Sequence, residues 1–128
     1  MKVTSGHEGR DSEERGATFT GTVWADAVLA EEGAPTVNSI FFRPAARTHW
    51  HSHELGQLLF VTSGSGHAQV REGEGREITA GDVVWFPPGE VHWHGARPGT
   101  FMSHTAVSLG TTDWLDPVSE EEYHAVVG

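Results

Sequence analysis

Imidazole side chains recur at two-residue spacing in two separate segments of this chain. His49, His51 and His53 alternate in the first segment, and His92 and His94 alternate about forty residues later. Side chains two residues apart on a β-strand point to the same face of the sheet. If both segments are strands, several imidazoles converge on one place. This arrangement predicts a metal site.

An amide side chain that could also bind a metal follows the first histidine segment closely. Gln57 comes four residues after His53 and opens an apolar run that predicts the next strand. A small barrel fills its interior with alternating side chains from each strand, so these groups could meet near one mouth. Neutral imidazoles and an amide oxygen suit a borderline divalent ion such as Mn, Fe, Zn, Ni or Co. The alternative, a set of surface histidines in a chain with nine of them, is disfavoured by the alternation in two segments.

The elements that must position these residues are short and β-rich. Glycine and proline turns, including Ser63 to Gly66, separate apolar or alternating runs at intervals typical of a sandwich or barrel. Ser119 and Glu122 form a capping-box pattern that predicts a short terminal helix over residues 120–126. The fold class is therefore an all-β small antiparallel β-barrel or jelly roll with a short C-terminal helix. The predicted strands cover residues 18–29, 36–43, 49–53, 57–62, 67–71, 76–79, 83–86, 91–94 and 101–109.

Length and composition bound the organisation of the chain. The 128 residues suffice for one domain with its own core. Residues 1–16 are polar without periodicity and predict a flexible N-terminal arm, which leaves residues 17–128 as a single domain.

Charge and cysteine usage exclude several functions. The formal net charge of −10 disfavours nucleic acid and anionic membranes as partners. The sequence contains no cysteine, so any metal must be held by nitrogen and oxygen ligands. No apolar run approaches the ~20 residues of a membrane span, and the N-terminus lacks the apolar region of a secretory signal. We therefore expect a cytoplasmic protein that acts on a small-molecule substrate.

Two ordered motifs resemble those of the cupin family. The first, a small residue followed by HxH, an acidic or amide residue and a glycine, is matched by Ala45, His51, His53, Gln57 and Gly64. The second is matched by Gly81, Pro87, Gly89 and His92. Ala45 and Ala96 depart from the family's first glycine and last asparagine, both in turns. Gln57 stands where the family usually has glutamate.

A narrower resemblance runs from Phe19 to about Tyr123. Segments including Gly81 to Trp85 and His92 to Gly95 are similar to small bacterial cupins with manganese-dependent hydroxynitrile lyase activity. The resemblance implies a divalent ion, Mn²⁺ first and Fe²⁺, Zn²⁺, Ni²⁺ or Co²⁺ as alternatives. It assigns the metal ligands as His51, His53, Gln57 and His92. The same resemblance implies that His94 and His104 are the catalytic acid–base pair.

The ligand set favours Lewis-acid chemistry. Glutamine replaces an anionic ligand with a neutral one, so a bound dication would keep its full charge. Together with the resemblance, which implies the reaction, this leads us to expect a lyase for hydroxynitriles or carbonyl compounds. Two other functions stay open at this point: an Fe- or Mn-dependent dioxygenase, and a non-enzymatic cupin that binds a small ligand or a metal.

The remaining histidines receive weaker assignments. His94 shares the face of His92, but either it or His104 could instead orient a ligand. We expect His49 at the barrel rim rather than as a fifth ligand. His67, which follows a predicted turn, is expected at the surface, and His7 and His124 are expected to be solvated.

Outward-facing aromatic residues suggest a covered second face. Trp50 and Trp93 lie between inward histidines and should point away from the metal. We expect a homodimer or homotetramer, in which residues 17–29 of a second copy could cover them. The terminal helix should pack Trp114, Leu115 and Tyr123 against the barrel.

Overall fold

The computed structural model describes residues 1–6 and 9–128, so the expectation for His7 lies outside the described residues. The described chain forms twelve strands and one helix, and none of it is a helix long and apolar enough to cross a membrane. In chain order the elements are β1 (Glu13–Arg15), β2 (Phe19–Thr20), β3 (Val23–Leu29), β4 (Thr36–Phe42), β5 (Arg47–Thr48), β6 (His51–His53), β7 (Gln57–Val70), β8 (Gly75–Thr79), β9 (Val83–Phe86), β10 (His92–Ala96), β11 (Met102–Ser108), β12 (Thr112–Trp114) and α1 (Glu120–Val127).

Two antiparallel sheets face each other and share one long strand. The first sheet has the order β1-β3-β4-β11-β7-β9. In the second sheet, β7 also pairs with β8 and β10, and β10 continues to the short strands β5 and β6. Strands β2 and β12 extend that sheet through β5 and β6 respectively. The result is a nearly closed barrel, which confirms the predicted all-β class and the terminal helix.

Strand β7 corrects the predicted turn at residues 63–66. The strand runs through these residues for 14 positions and changes partners on the way. Gly64 has φ 73°, and a Cβ there would collide with the Phe101 carbonyl oxygen. A Cβ at Gly66 would be equally close to the Gly95 carbonyl oxygen. Gly64 and Gly66 therefore let the strand bend from one sheet into the other, where the sequence predicts a turn that reverses the chain. His67 consequently lies within a strand and is 9% exposed, so the prediction that it lies at the surface is wrong.

The N-terminal segment contains a strand that was not predicted. Glu13 to Arg15 pair with Ala25 to Val23 at the edge of the first sheet. Part of the segment expected to be a flexible arm is therefore hydrogen-bonded to the barrel. The domain boundary at residue 17 stays a prediction.

The C-terminal helix covers the outward tryptophans. Trp50 and Trp93 are buried in a cluster with Val118 and Tyr123, separate from the barrel core. The Tyr123 hydroxyl donates to the Ala96 carbonyl oxygen at 2.7 Å. The chain's own helix thus covers this face, and cover by residues 17–29 of a second copy is not needed there.

Two of the residues expected under the helix lie elsewhere. Trp114 and Leu115 are 39% and 37% exposed, whereas Tyr123 is fully buried as predicted. Trp114 instead stacks near His51, with 4.5 Å between ring centroids, at the mouth of the barrel.

Candidate metal centre and acid–base pair

Three histidines from two paired strands form a buried cluster. His51 and His53 lie on β6, and His92 on β10 is the direct partner of His51 in the antiparallel register. One nitrogen from each ring lies within 4.8 Å of the others, and all three side chains are buried. The predicted alternation on two strands therefore does bring these imidazoles together.

Hydrogen bonds to Nδ1 set the direction of each ring. The Nδ1 atoms of His51 and His92 lie 2.8 Å from the carbonyl oxygens of His49 and Glu90. A carbonyl only accepts, so both Nδ1 atoms carry the proton and both Nε2 atoms present lone pairs. The Nδ1 of His53 is 3.1 Å from the Thr112 hydroxyl.

These contacts also place His49. Its carbonyl orients His51, but its own ring is outside the three-histidine cluster.

Gln57 completes the donor set. Its Nε2 donates to the Ser108 hydroxyl at 3.0 Å, and this bond turns its Oε1 towards His92. The Oε1 lies 3.0 Å from His92 Nε2. Because His92 carries its proton on Nδ1, both of these atoms are acceptors, and no hydrogen bond joins them.

The donor atoms fit a shared cation. Two ligand atoms about 2.1 Å from one ion and at right angles to each other would be about 3.0 Å apart, as the Gln57 and His92 atoms are. The Nε2 of His53 is buried and has no hydrogen-bond partner among the described residues. Three imidazole nitrogens and one amide oxygen suit a borderline divalent ion, so His51, His53, Gln57 and His92 could hold it.

Burial keeps the three clustered histidines neutral. It lowers the pKa of His53 to about 4 and the pKa of His92 to about 3. Burial, and next the neighbouring His92, holds the pKa of His51 well below its usual value. Neutral imidazole is the form that binds metals, so the site needs no proton release from these rings near neutral pH.

His94 and His104 form a second pair beside the cluster. His104 Nε2 and His94 Nδ1 are 3.0 Å apart, and the two side chains are almost completely buried. Phe42 packs against both rings. Burial lowers the pKa of His104 to about 4, while burial and then His104 hold the pKa of His94 well below its usual value.

The pair can present either a base or an acid. One proton lies between the two rings. If His94 Nδ1 donates, its Nε2 carries a lone pair, and if it accepts, its Nε2 carries the proton. His94 Nε2 has no partner among the described residues, and His94 lines the cavity. The pair can thus move a proton to or from a bound molecule.

A cavity of about 200 Å³ opens above these groups at the mouth of the barrel. Its lining includes His51, His53, Gln57, His94 and His104, together with Asn38, Ile40 and Phe42 of β4. A larger cavity of about 430 Å³ opens between β8 and β9, but none of the histidines lines it. The smaller cavity is therefore the candidate substrate site.

Sequence reasoning missed the residues that orient two of the candidate ligands. Ser108 and Thr112 bond Gln57 and His53 across 51 and 59 residues of chain. Ser108 shares the parity of His104 on its strand, which was a usable signal. Thr112 and the half-buried Arg15, which also lines the cavity, carried no such signal.

Comparisons with known proteins agree with this geometry. The chain is 48% identical over 111 residues to an (R)-mandelonitrile lyase of Granulicella tundricola, covering 82% of this chain and 85% of that protein. A cupin-like protein of Thermotoga maritima has 42% identity and a TM-score of 0.83, with 92% of this chain and 98% of that chain covered. A polyketide cyclase of Streptomyces resistomycificus, at 19% identity, shares the fold with a TM-score of 0.74 over 97% and 92% of the two chains.

The family itself is shown by a domain match. The cupin domain family matches residues 40–103, which contain the two motifs and the three clustered histidines. Together with the 48% identical relative, this match confirms the predicted resemblance. The chain belongs to the cupin family.

Proposed function

We propose that this protein is a metal-dependent lyase that cleaves hydroxynitriles to a carbonyl compound and hydrogen cyanide, and that also runs the reverse addition. The observation that carries the proposal is that the His94–His104 pair and two of the three clustered histidines, His51 and His53, line one cavity. The name of the 48% identical relative supports the reaction class.

The proposed metal is a divalent ion, Mn²⁺ first, at His51, His53, Gln57 and His92. When bound, the ion would supply a Lewis acid that stabilises negative charge on a substrate oxygen. The neutral Gln57 amide supports this role, because it does not reduce the charge of the ion. Ser108 and Thr112 keep Gln57 and His53 oriented.

The proton is handled by this chain's own residues. Cleavage breaks the O–H bond of the hydroxynitrile and the C–C bond to its nitrile carbon. His94 takes the hydroxyl proton on Nε2 while its Nδ1 proton is shared with His104. The electron pair of the broken C–C bond leaves with cyanide, which takes the proton from His94 to become hydrogen cyanide and returns the histidine pair to its neutral state. In the reverse reaction His94 returns the proton to the forming hydroxyl.

The decisive experiment uses Mn²⁺-loaded protein with benzaldehyde and cyanide at mildly acidic pH. We expect enantioenriched mandelonitrile, and we expect His94→Ala to reduce kcat by about a hundredfold, the usual contribution of a proton-transfer group. His124→Ala, at an exposed histidine, is the matched control and should not change kcat. A fully metal-loaded protein that forms no cyanohydrin above background would refute the lyase proposal, and oxygen uptake with an electron-rich phenol would instead indicate a dioxygenase.

We also propose that the partner of this chain is a second copy. The outer face of the first sheet carries large exposed hydrophobic residues on neighbouring strands, including Trp24, Phe41, Phe60, Val83 and Trp85. Asp26 is the one charged residue among the outward positions of β3, β4, β11, β9 and the first half of β7. Two chains of net charge −10 that meet on such a face bring few like charges together.

A further inference from the structure

The N-terminal strand brings a cation to the candidate substrate cavity. Arg15 on β1 is paired directly with Val23 on β3. Residues opposite each other in an antiparallel pair share a face of the sheet, and Val23 is fully buried in the barrel core. Arg15 therefore lies on the interior side of the sheet edge, and its side chain lines the mouth of the cavity.

The charges around the cavity are one-sided. Among the described residues that line the cavity, Arg15 is the only charged side chain, because the histidines there are neutral. The described lining contains no aspartate or glutamate. This differs from the whole chain, in which 18 acidic residues outnumber 8 basic ones. A cleft lined by one sign of charge concentrates ligands of the opposite sign. A divalent ion at the histidines would add further positive charge.

Arg15 keeps hydrogen-bonding capacity for a ligand. Its Nε is 3.9 Å from a carboxylate oxygen of Glu13, close to the outer limit for an ion pair. The Glu13 side chain is 78% exposed, so water competes for it. A guanidinium carries five N–H donors in a planar fork that matches a carboxylate. Neighbouring Thr18 and Thr36 add hydroxyl groups to the same rim.

We propose that Arg15 forms an anion-binding subsite for small substrates that carry a carboxylate in addition to the reacting carbonyl or hydroxyl oxygen. This inference rests on the proposed function, because the reacting oxygen is assigned to the metal side of the cavity and the carboxylate to the Arg15 side. Aromatic or aliphatic aldehydes with a carboxylate, and the corresponding hydroxynitriles, are the substrate class.

A binding measurement on the metal-loaded protein tests the subsite without requiring turnover. Benzoate and its neutral isostere benzamide are titrated into wild type, Arg15→Gln and Arg15→Lys. We expect Arg15→Gln to weaken benzoate binding about tenfold, the usual effect of losing a hydrogen bond to a charged group, and to leave benzamide unchanged. Arg15→Lys keeps the charge but loses the planar fork, so its benzoate affinity should lie between those of wild type and Arg15→Gln. Arg43→Gln removes the same charge from an exposed residue outside the cavity and should change neither affinity.

Two results would overturn the subsite. One is benzoate affinity that changes less than twofold in Arg15→Gln. The other is equal weakening of benzoate and benzamide, because it would mean that Arg15 shapes the edge strand and does not bind the carboxylate. Thermal unfolding of each variant verifies that β1 and the barrel remain folded.

Activity then separates this inference from the proposed function. With cyanide, Arg15→Gln should raise the ratio of the KM for 4-formylbenzoate to the KM for benzaldehyde about tenfold, whereas Arg43→Gln should leave this ratio unchanged. If benzaldehyde is converted but the benzoate affinity does not depend on Arg15, the lyase proposal is supported and the subsite is refuted. If no aldehyde is converted but the benzoate affinity depends on Arg15, the subsite is supported and the lyase proposal is refuted.

Discussion

At the scale of single residues, the amide of Gln57 presents its oxygen to the clustered histidines because another side chain orients it. An amide can present oxygen or nitrogen to a site, and Ser108 accepts from Gln57 Nε2 in the interior of the barrel. This contact leaves Oε1 on the side of the histidines. A neutral ligand and its orienting hydroxyl thus act as one unit.

Ser108→Ala should lower metal affinity about tenfold, because Gln57 would then lose the bond that selects its oxygen. A competitive titration of Mn²⁺ with a chelator measures this change. Ser39→Ala removes a hydroxyl from the outer face of the same sheet and should have no effect. Equal Mn²⁺ affinities for wild type and Ser108→Ala would contradict the role of Ser108.

The buried histidines also predict how the metal-free protein responds to acid. The pKa of His104 is about 4 in the folded chain, against 6.5 when it is exposed. Between these values the unfolded chain binds more protons than the folded chain, so stability is full above pH 6.5 and falls as the pH falls towards 4. Each such histidine contributes up to about 1.4 kcal/mol per pH unit.

Urea unfolding of metal-free protein at about pH 7, 6 and 5 measures this dependence. His104→Asn should give a shallower slope than wild type, whereas His124→Ala, at an exposed position, should keep the wild-type slope. A free energy of unfolding that stays constant from about pH 7 to 5 would contradict the burial of neutral histidines.

At the scale of elements, the turn before β5 departs from the cupin motif at a measurable cost. Ala45 stands where the motif has glycine, and the structure gives it φ 67°. This left-handed conformation costs a residue with a Cβ about 1–2 kcal/mol, whereas glycine loses about 0.5–1 kcal/mol more entropy on folding. Because the conformational cost of alanine is larger than the entropic cost of glycine, the folded state is more stable with glycine at this position.

Ala45→Gly should therefore raise the free energy of unfolding by about 0.5–1 kcal/mol. Chemical denaturation measures this change in the free energy of unfolding. Ala80→Gly makes the same chemical change at an exposed turn residue without a positive φ, and it should be neutral or destabilising. Destabilisation by Ala45→Gly as large as by Ala80→Gly would show that the turn is not strained.

At the scale of the whole molecule, the apolar outer face of the first sheet predicts self-association. Phe60 lies in the middle of this face, between Thr105 and Val83, and is 40% exposed. Phe60→Glu should shift the protein from dimer to monomer in light-scattering chromatography, because it would bury an unpaired carboxylate in the interface. Leu115→Glu, at an exposed residue that follows β12 of the other sheet, should remain dimeric. A wild-type protein that is monomeric at high concentration would contradict the proposed interface.

The sequence by itself determined the fold class and located the three clustered histidines. Alternating histidines, frequent turns and the capping box are local signals, and each depends on spacings of a few residues. Those spacings sufficed for the three clustered histidines, for the terminal helix and for the family. Local signals also misled at residues 63–66, because a glycine pair that bends a strand looks the same as one that ends it.

Only the tertiary structure decided how the site is held and what surrounds it. The bonds from Ser108 and Thr112 to their ligands, the helix over Trp50 and Trp93, and the position of Arg15 all join distant parts of the chain. Such contacts depend on strand register and on which segments become neighbours, and no local pattern encodes either. His51, His53 and His92 thus mark the site in the sequence, whereas their orientation and the positive mouth of the cavity come from the folded barrel.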